Sequence, residues 1–178
     1  MKGIIFTEFM EMVESNFGYS VANKIIVEEK LASKGVYTSI GTYKSSEMHI
    51  LVHELSKLSK IPIPKLLYAY GEYLFSSFCR LYPSLISSEV TTISFLESID
   101  NHIHVEVLKL YPDAELPKFK TNLVSENKLE MNYISERALY HFAHGLLAGC
   151  ISHFKEGFDI EYTKNDEKGA DVTFIISK

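Results

Sequence analysis

Tyr133, Ser135 and Arg137 fall at alternate positions of one short run, and their types suit a single task. Two hydroxyls and a guanidinium gathered at a strand-to-helix junction make a grip for carboxylates. The strand before the run reads Leu129, Met131, Tyr133 at period two. A helix is expected from Ser135 to about Phe154, with the Ser135 hydroxyl as its N-cap. Free amide N–H groups and the helix dipole at that end favour an anion. Arg137 adds a planar fork able to hold a carboxylate bidentately. A capped helix with a surface arginine is the plainer reading of the same residues.

The seven histidines divide by setting. His49 and His53 are spaced i, i+4, and His141 and His144 i, i+3, but neither pair has a third ligand nearby, so they read as polar-face residues. His153 sits near a helix end, where a cation suits the dipole. His104 differs: it is a basic nitrogen in a largely apolar helix, with Asp100 one turn back and Val107 and Leu108 one turn on. A satisfied core histidine and a cofactor ligand both fit that setting. In the sharper reading, His104 and the carboxylate grip serve one ligand. Haem b, iron protoporphyrin IX, needs an axial base, an apolar slot for a flat macrocycle and partners for two propionates. Ile5, Phe9, Leu74, Phe78, Phe142, Leu146 and Leu147 are the apolar material for the slot.

Composition bounds what these residues can be part of. A chain of 178 residues makes one domain, or two small lobes sharing a core. Hydrophobic residues are 46% and charged residues 23%, as in an ordinary globular protein. A net charge of -5 with no Lys/Arg cluster argues against a nucleic-acid partner. No apolar run approaches membrane-spanning length, and the opening residues lack a small-residue cleavage site, so no membrane partner is expected. The two cysteines, Cys79 and Cys150, lie in helical patterns and suggest a cytoplasmic protein without a disulfide framework.

The elements that must position the site are helical first. Ile5, Phe9, Met12, Val13 and Phe17 share one face, and Gly18 ends that helix. Further helices are expected over about Val21–Leu31, from Ser45 to about Leu58, from Pro64 to about Leu81, and from Ile93 to Tyr111. A loop around Gly41 and a rigid Ile61-Pro62-Ile63-Pro64 connector separate them. Then the period changes to two. Phe119, Thr121 and Leu123 pair with Leu129, Met131 and Tyr133, and Phe158–Tyr162 with Val172–Ile176. The fold class is α+β: a helical N-terminal part, then a four-stranded antiparallel sheet with one helix between its hairpins.

On these residues the chain resembles the H-NOX family, the haem–nitric oxide/oxygen binding domains. Met1-Lys2-Gly3-Ile4-Ile5-Phe6 is similar to the family's N-terminus. The segment Ile103 to Pro112, carrying His104, Val107 and Lys109-Leu110-Tyr111, is similar to its proximal-histidine segment. Leu116-Pro117 before a strand looks like the segment with its haem-distorting proline, and Tyr133-x-Ser135-x-Arg137 like its propionate motif. The resemblance implies one H-NOX domain over 1–178, with a helical lobe over about 1–62 and a haem-anchoring lobe over 63–178. It implies His104 as axial ligand to ferrous haem, Tyr133, Ser135 and Arg137 on the propionates, and Pro117 and Ile5 pressing the macrocycle out of plane.

Ligand choice is also expected from the chain. Oxygen-binding members carry a distal tyrosine in the helix after the propionate motif, and here that position is Phe142, with Phe9 and Leu74 at the supporting positions. Tyr140 lies about 200° round the same helix and should point elsewhere. A donor-free pocket binding NO and CO but not O₂ is therefore expected, with an O₂-binding sensor of the same fold as the alternative. The resemblance implies a sensor and not an enzyme, a stand-alone bacterial member acting in trans on a histidine kinase or a cyclic-di-GMP enzyme. From Phe158 onward the chain has neither Cys nor His, so the zinc cluster of some members is not expected.

Overall fold

Alternation at period two builds the sheet, and the register shows why it is buried on one face. The computed structural model describes residues 1–86 and 90–178. Strands β1 (Lys118–Ser125), β2 (Lys128–Ile134), β3 (Asp159–Lys164) and β4 (Asp171–Ser177) form one antiparallel sheet in the order β1-β2-β4-β3. Across the first hairpin, Phe119, Thr121 and Leu123 stand opposite Tyr133, Met131 and Leu129. Tyr133, Met131 and Leu129 in turn face Val172, Phe174 and Ile176 of β4. These six side chains on β2 and β4 are buried, as same-face neighbours in a half-covered sheet must be.

Seven α-helices lie among the described residues: α1 (Gly3–Phe17), α2 (Tyr19–Lys24), α3 (Ser45–Ser59), α4 (Ile63–Leu81), α5 (Thr92–Ser98), α6 (His104–Leu110) and α7 (Tyr140–Phe154). One apolar cluster joins α1, α2, α3 and most of α4 around Phe6, Phe9, Leu51, Leu55, Tyr70 and Leu74. A second joins α5, α7 and the sheet around Phe95, Leu96, Leu147 and Phe174. The two meet along α4, whose Leu74 belongs to the first and Phe75 to the second. Where α4 crosses α7, glycines face each other. A Cβ on Gly145 would stand 2.0 Å from the Tyr68 carbonyl oxygen, and one on Gly71 2.4 Å from that of Phe142. The backbones touch because neither residue has a side chain.

Three boundaries differ from the sequence expectations. The second helix stops at Lys24, and a short 3-10 turn over Glu28–Lys30 replaces its second half. The expected helix from Ile93 to Tyr111 is three pieces: α5, a π-helical segment over Ile99–Ile103, and α6. The helix expected from Ser135 begins only at Tyr140. Ser135 is therefore not its N-cap. The Ser135 carbonyl accepts from Ala138 N–H at 3.1 Å, and Ala138 takes a left-handed φ of 52°, so the chain turns before the helix can start.

Candidate functional site

One deep apolar cavity lies between α4, α5, α6, α7, the start of α1 and the loop that leads into β1. Its empty space is about 1580 Å³, the open mouth included. Nearly all the site residues expected from the sequence line it: Ile5, Leu74, Phe78, His104, Pro117, Tyr133, Ser135, Arg137, Phe142 and Leu146. Phe9 does not. It is fully buried in the N-terminal cluster, its ring edge-on to Tyr70 at 5.1 Å, and Tyr70 stands between it and Phe142.

His104 enters the cavity from the first residue of α6, just after the π segment. Its ring is held from behind. Asp100, on that segment, has Oδ1 3.0 Å from His104 Nδ1. A carboxylate offers only acceptors, so Nδ1–H is the donor and Nε2 is the nitrogen left for a ligand. Burial pushes the imidazole below its ordinary pKa, with the Asp100 carboxylate acting against it. That shift favours the neutral ring, the form that binds a metal.

At the opposite rim, strand pairing sets the carboxylate grip. Tyr133 closes β2 and is buried, its ring 5.6 Å from that of Phe119 across the hairpin. Burial raises the Tyr133 phenol pKa, so the hydroxyl keeps its proton and can donate. Ser135 follows one residue after the strand. Its N–H donates to the Ala170 carbonyl at 2.8 Å, and its Oγ accepts from Arg137 N–H at 3.4 Å. Arg137 Nη1 donates to the Glu115 carbonyl at 2.8 Å and Nη2 to the Glu115 carboxylate at 2.7 Å. That pair holds the Glu115 carboxyl below the usual range. The fork's geometry thus suits carboxylates, and one already meets it. Nothing in the sequence pointed to Glu115, which reaches Arg137 only through the shape of its loop.

The wall formed by Ile5, Leu74, Phe78, Phe142 and Leu146 is all carbon. Tyr70, which stacks on Phe142 at 5.0 Å, is fully buried, and its hydroxyl donates to the Ile5 carbonyl. That proton is already used. Tyr140 is not among the lining residues, and its ring lies against His141 and Tyr162. Two tyrosines with no role expected from the sequence also line the cavity: the Tyr82 and Tyr111 hydroxyls sit 3.0 Å apart.

An apolar slot, one neutral imidazole on its floor and hydroxyl and guanidinium donors at its rim fit a flat, iron-bearing macrocycle with two carboxylates. Such an arrangement on an α+β frame defines a haem-binding fold. The Haem-NO-binding family profile matches residues 2–162, and the chain belongs to that family. The family binds haem, and the fold is the H-NOX fold. The chain is similar to the unliganded Fe(II) H-NOX protein from K. algicida, at 48% identity and TM-score 0.94, over 100% of this chain and 96% of that one. It is similar to the H-NOX of Shewanella woodyi in the Fe(II)CO state, at 38% identity and TM-score 0.84, over 100% and 94%. It is also similar to the S. oneidensis H-NOX in the Fe(II)NO state, at 30% identity and TM-score 0.87, over 100% and 98%. No curated protein matches the chain. Among the described residues, no helix is long and apolar enough to cross a membrane, and no cluster of three or more His, Cys, Asp or Glu could hold a separate metal ion.

Proposed function

We propose that this protein is a haem-based sensor that takes NO and CO, excludes O₂ as a stable ligand, and controls a partner protein in trans. When bound, the haem would supply a ferrous iron able to take a diatomic gas. His104 would hold the iron, Tyr133, Ser135 and Arg137 would bind the propionates, and Pro117 and Ile5 would pack against the ring. The observation that carries the selectivity is the all-carbon wall of Ile5, Leu74, Phe78, Phe142 and Leu146. Bound O₂ draws charge onto itself and gains from a hydrogen-bond donor, whereas NO and CO need none.

His104 is the movable tether. α6, which carries it, has no buried residue to anchor it, so the helix would follow if a bound gas loosened that hold. That movement would shift the helical part over 1–62 relative to the haem-anchoring part over 63–178, a two-state element biased by a ligand. The output fits a histidine kinase or a cyclic-di-GMP enzyme in the cytoplasm. The role is sensing, not catalysis.

One observation favours a second reading, an O₂ sensor. The Tyr82–Tyr111 hydroxyl pair lines the cavity, and a pair of phenols sharing one hydrogen bond keeps one O–H spare. Absorption spectra separate the two. The ferrous protein is expected to give the same spectrum in air as under nitrogen and to shift its Soret band with NO. A stable oxy spectrum in air would overturn the exclusion of O₂.

A further inference from the structure

We infer that Asp100 sets how firmly His104 holds the haem and links that hold to the sheet, an inference that rests on the haem-sensor reading above. The link begins in the backbone. His104 N–H donates to the Ile99 carbonyl, five residues back, where an α-helix would reach four. That one-residue insertion turns everything after it by about 100° relative to α5. Asp100, four residues before His104 on the π segment, stands behind its ring, with Oδ1 3.0 Å from Nδ1. An imidazole that donates its far N–H to a carboxylate is a stronger electron donor through its near nitrogen, and its ring cannot rotate freely. Asp100 therefore strengthens and aims the bond that the sensor must break.

The same oxygen has a second task. Asp100 Oδ1 also accepts from the backbone N–H of Phe119 at 3.4 Å, at the start of the edge strand β1. The Phe119 ring lies 5.9 Å from the His104 ring and 5.6 Å from that of Tyr133. Movement of His104 thus reaches β1 through one carboxylate and one aromatic ring, and Tyr133 of the propionate grip is the next contact. Asp100 is a positioning residue: it acts on the haem only through His104.

Resonance Raman spectra of the haem-loaded ferrous protein test this directly. The iron–histidine stretch is expected to shift down by several wavenumbers in Asp100→Asn, where a neutral amide oxygen replaces the carboxylate, and further in Asp100→Ala. The Asn variant keeps the shape of the side chain and so guards against loss of the fold. The amide of Phe119 is expected to exchange its hydrogen several-fold faster in Asp100→Ala. A stretch unchanged in both variants at normal haem content overturns the role of Asp100 and leaves the sensor reading standing. Unchanged Phe119 exchange removes the link to β1. Absence of any iron–histidine stretch in the wild type sinks the sensor reading itself.

Discussion

Both nitrogens at the tip of Arg137 have oxygens to hold, and both oxygens belong to Glu115. Such a fork is more than a positive charge, because its two N–H directions are fixed in one plane. Lysine keeps the charge and loses the plane. Arg137→Lys is expected to lower haem retention by about tenfold or more, the worth of one charge-assisted hydrogen bond. Haem loss to an excess of a scavenging apoprotein measures it, and wild-type loss rates would mean that the guanidinium does not grip the propionates. At this scale the sequence was legible where the backbone is regular. Tyr133 and Ser135 share a side because alternate positions along a strand do, and Arg137 joins them from the turn after β2, where its N–H donates to Ser135 Oγ. It was not legible at Phe9, which spacing alone puts beside Ile5 on α1. Tyr70 lies edge-on against Phe9 and stacks on Phe142 beyond it, a relation between α1, α4 and α7 that no local pattern carries.

The contact between α4 and α7 decides the width of one side of the cavity, since Leu74 and Phe78 come from one helix and Phe142 and Leu146 from the other. Gly71 and Gly145 let the two backbones touch. A methyl at position 145 meets a main-chain carbonyl, which cannot swing aside as a side chain could. Gly145→Ala is therefore expected to part the helices and cost about 1–3 kcal/mol, read as a lower melting temperature. A variant as stable as the wild type would show that the helices have slack at their crossing. Hairpins and amphipathic helices were legible because their periods persist over many residues. The π segment was not: Ile93, Leu96, Ile99, Ile103 and Val107 are spaced three or four apart throughout, so the sequence shows one unbroken helical repeat. The late start of α7 was hidden for a related reason. Ser135 has the chemistry of an N-cap, yet its carbonyl is used in a turn first.

Across the whole molecule, Lys2 ties the two ends of the site together. Its ammonium donates to the Ile40 carbonyl at 2.9 Å, to Thr42 Oγ1 at 2.8 Å and to Asp113 Oδ1 at 2.9 Å. Thr42 Oγ1 also donates to Asp113 Oδ2 at 2.6 Å. The start of α1, the loop before α3 and the segment after α6 therefore meet at one carboxylate. Asp113 follows α6, the helix that carries His104, so this clasp fixes the end of that helix to the start of α1. Thr42 first, and Lys2 with it, hold the Asp113 carboxyl down from 3.8 to about 2. The folded state thus prefers the ionised form. A group depressed in this way stabilises the fold fully above its unfolded pKa and loses that contribution as the pH falls through its folded value. The wild type is accordingly expected to be more stable than Asp113→Asn by a constant amount above about pH 4, with the gap closing between about pH 4 and pH 2. Urea unfolding of both proteins across that range checks the sign. A gap that stays level to the acid end would mean that Lys2 and Thr42 do not discriminate the charged carboxylate, and that the clasp is held by packing of Lys2 against Tyr111 instead.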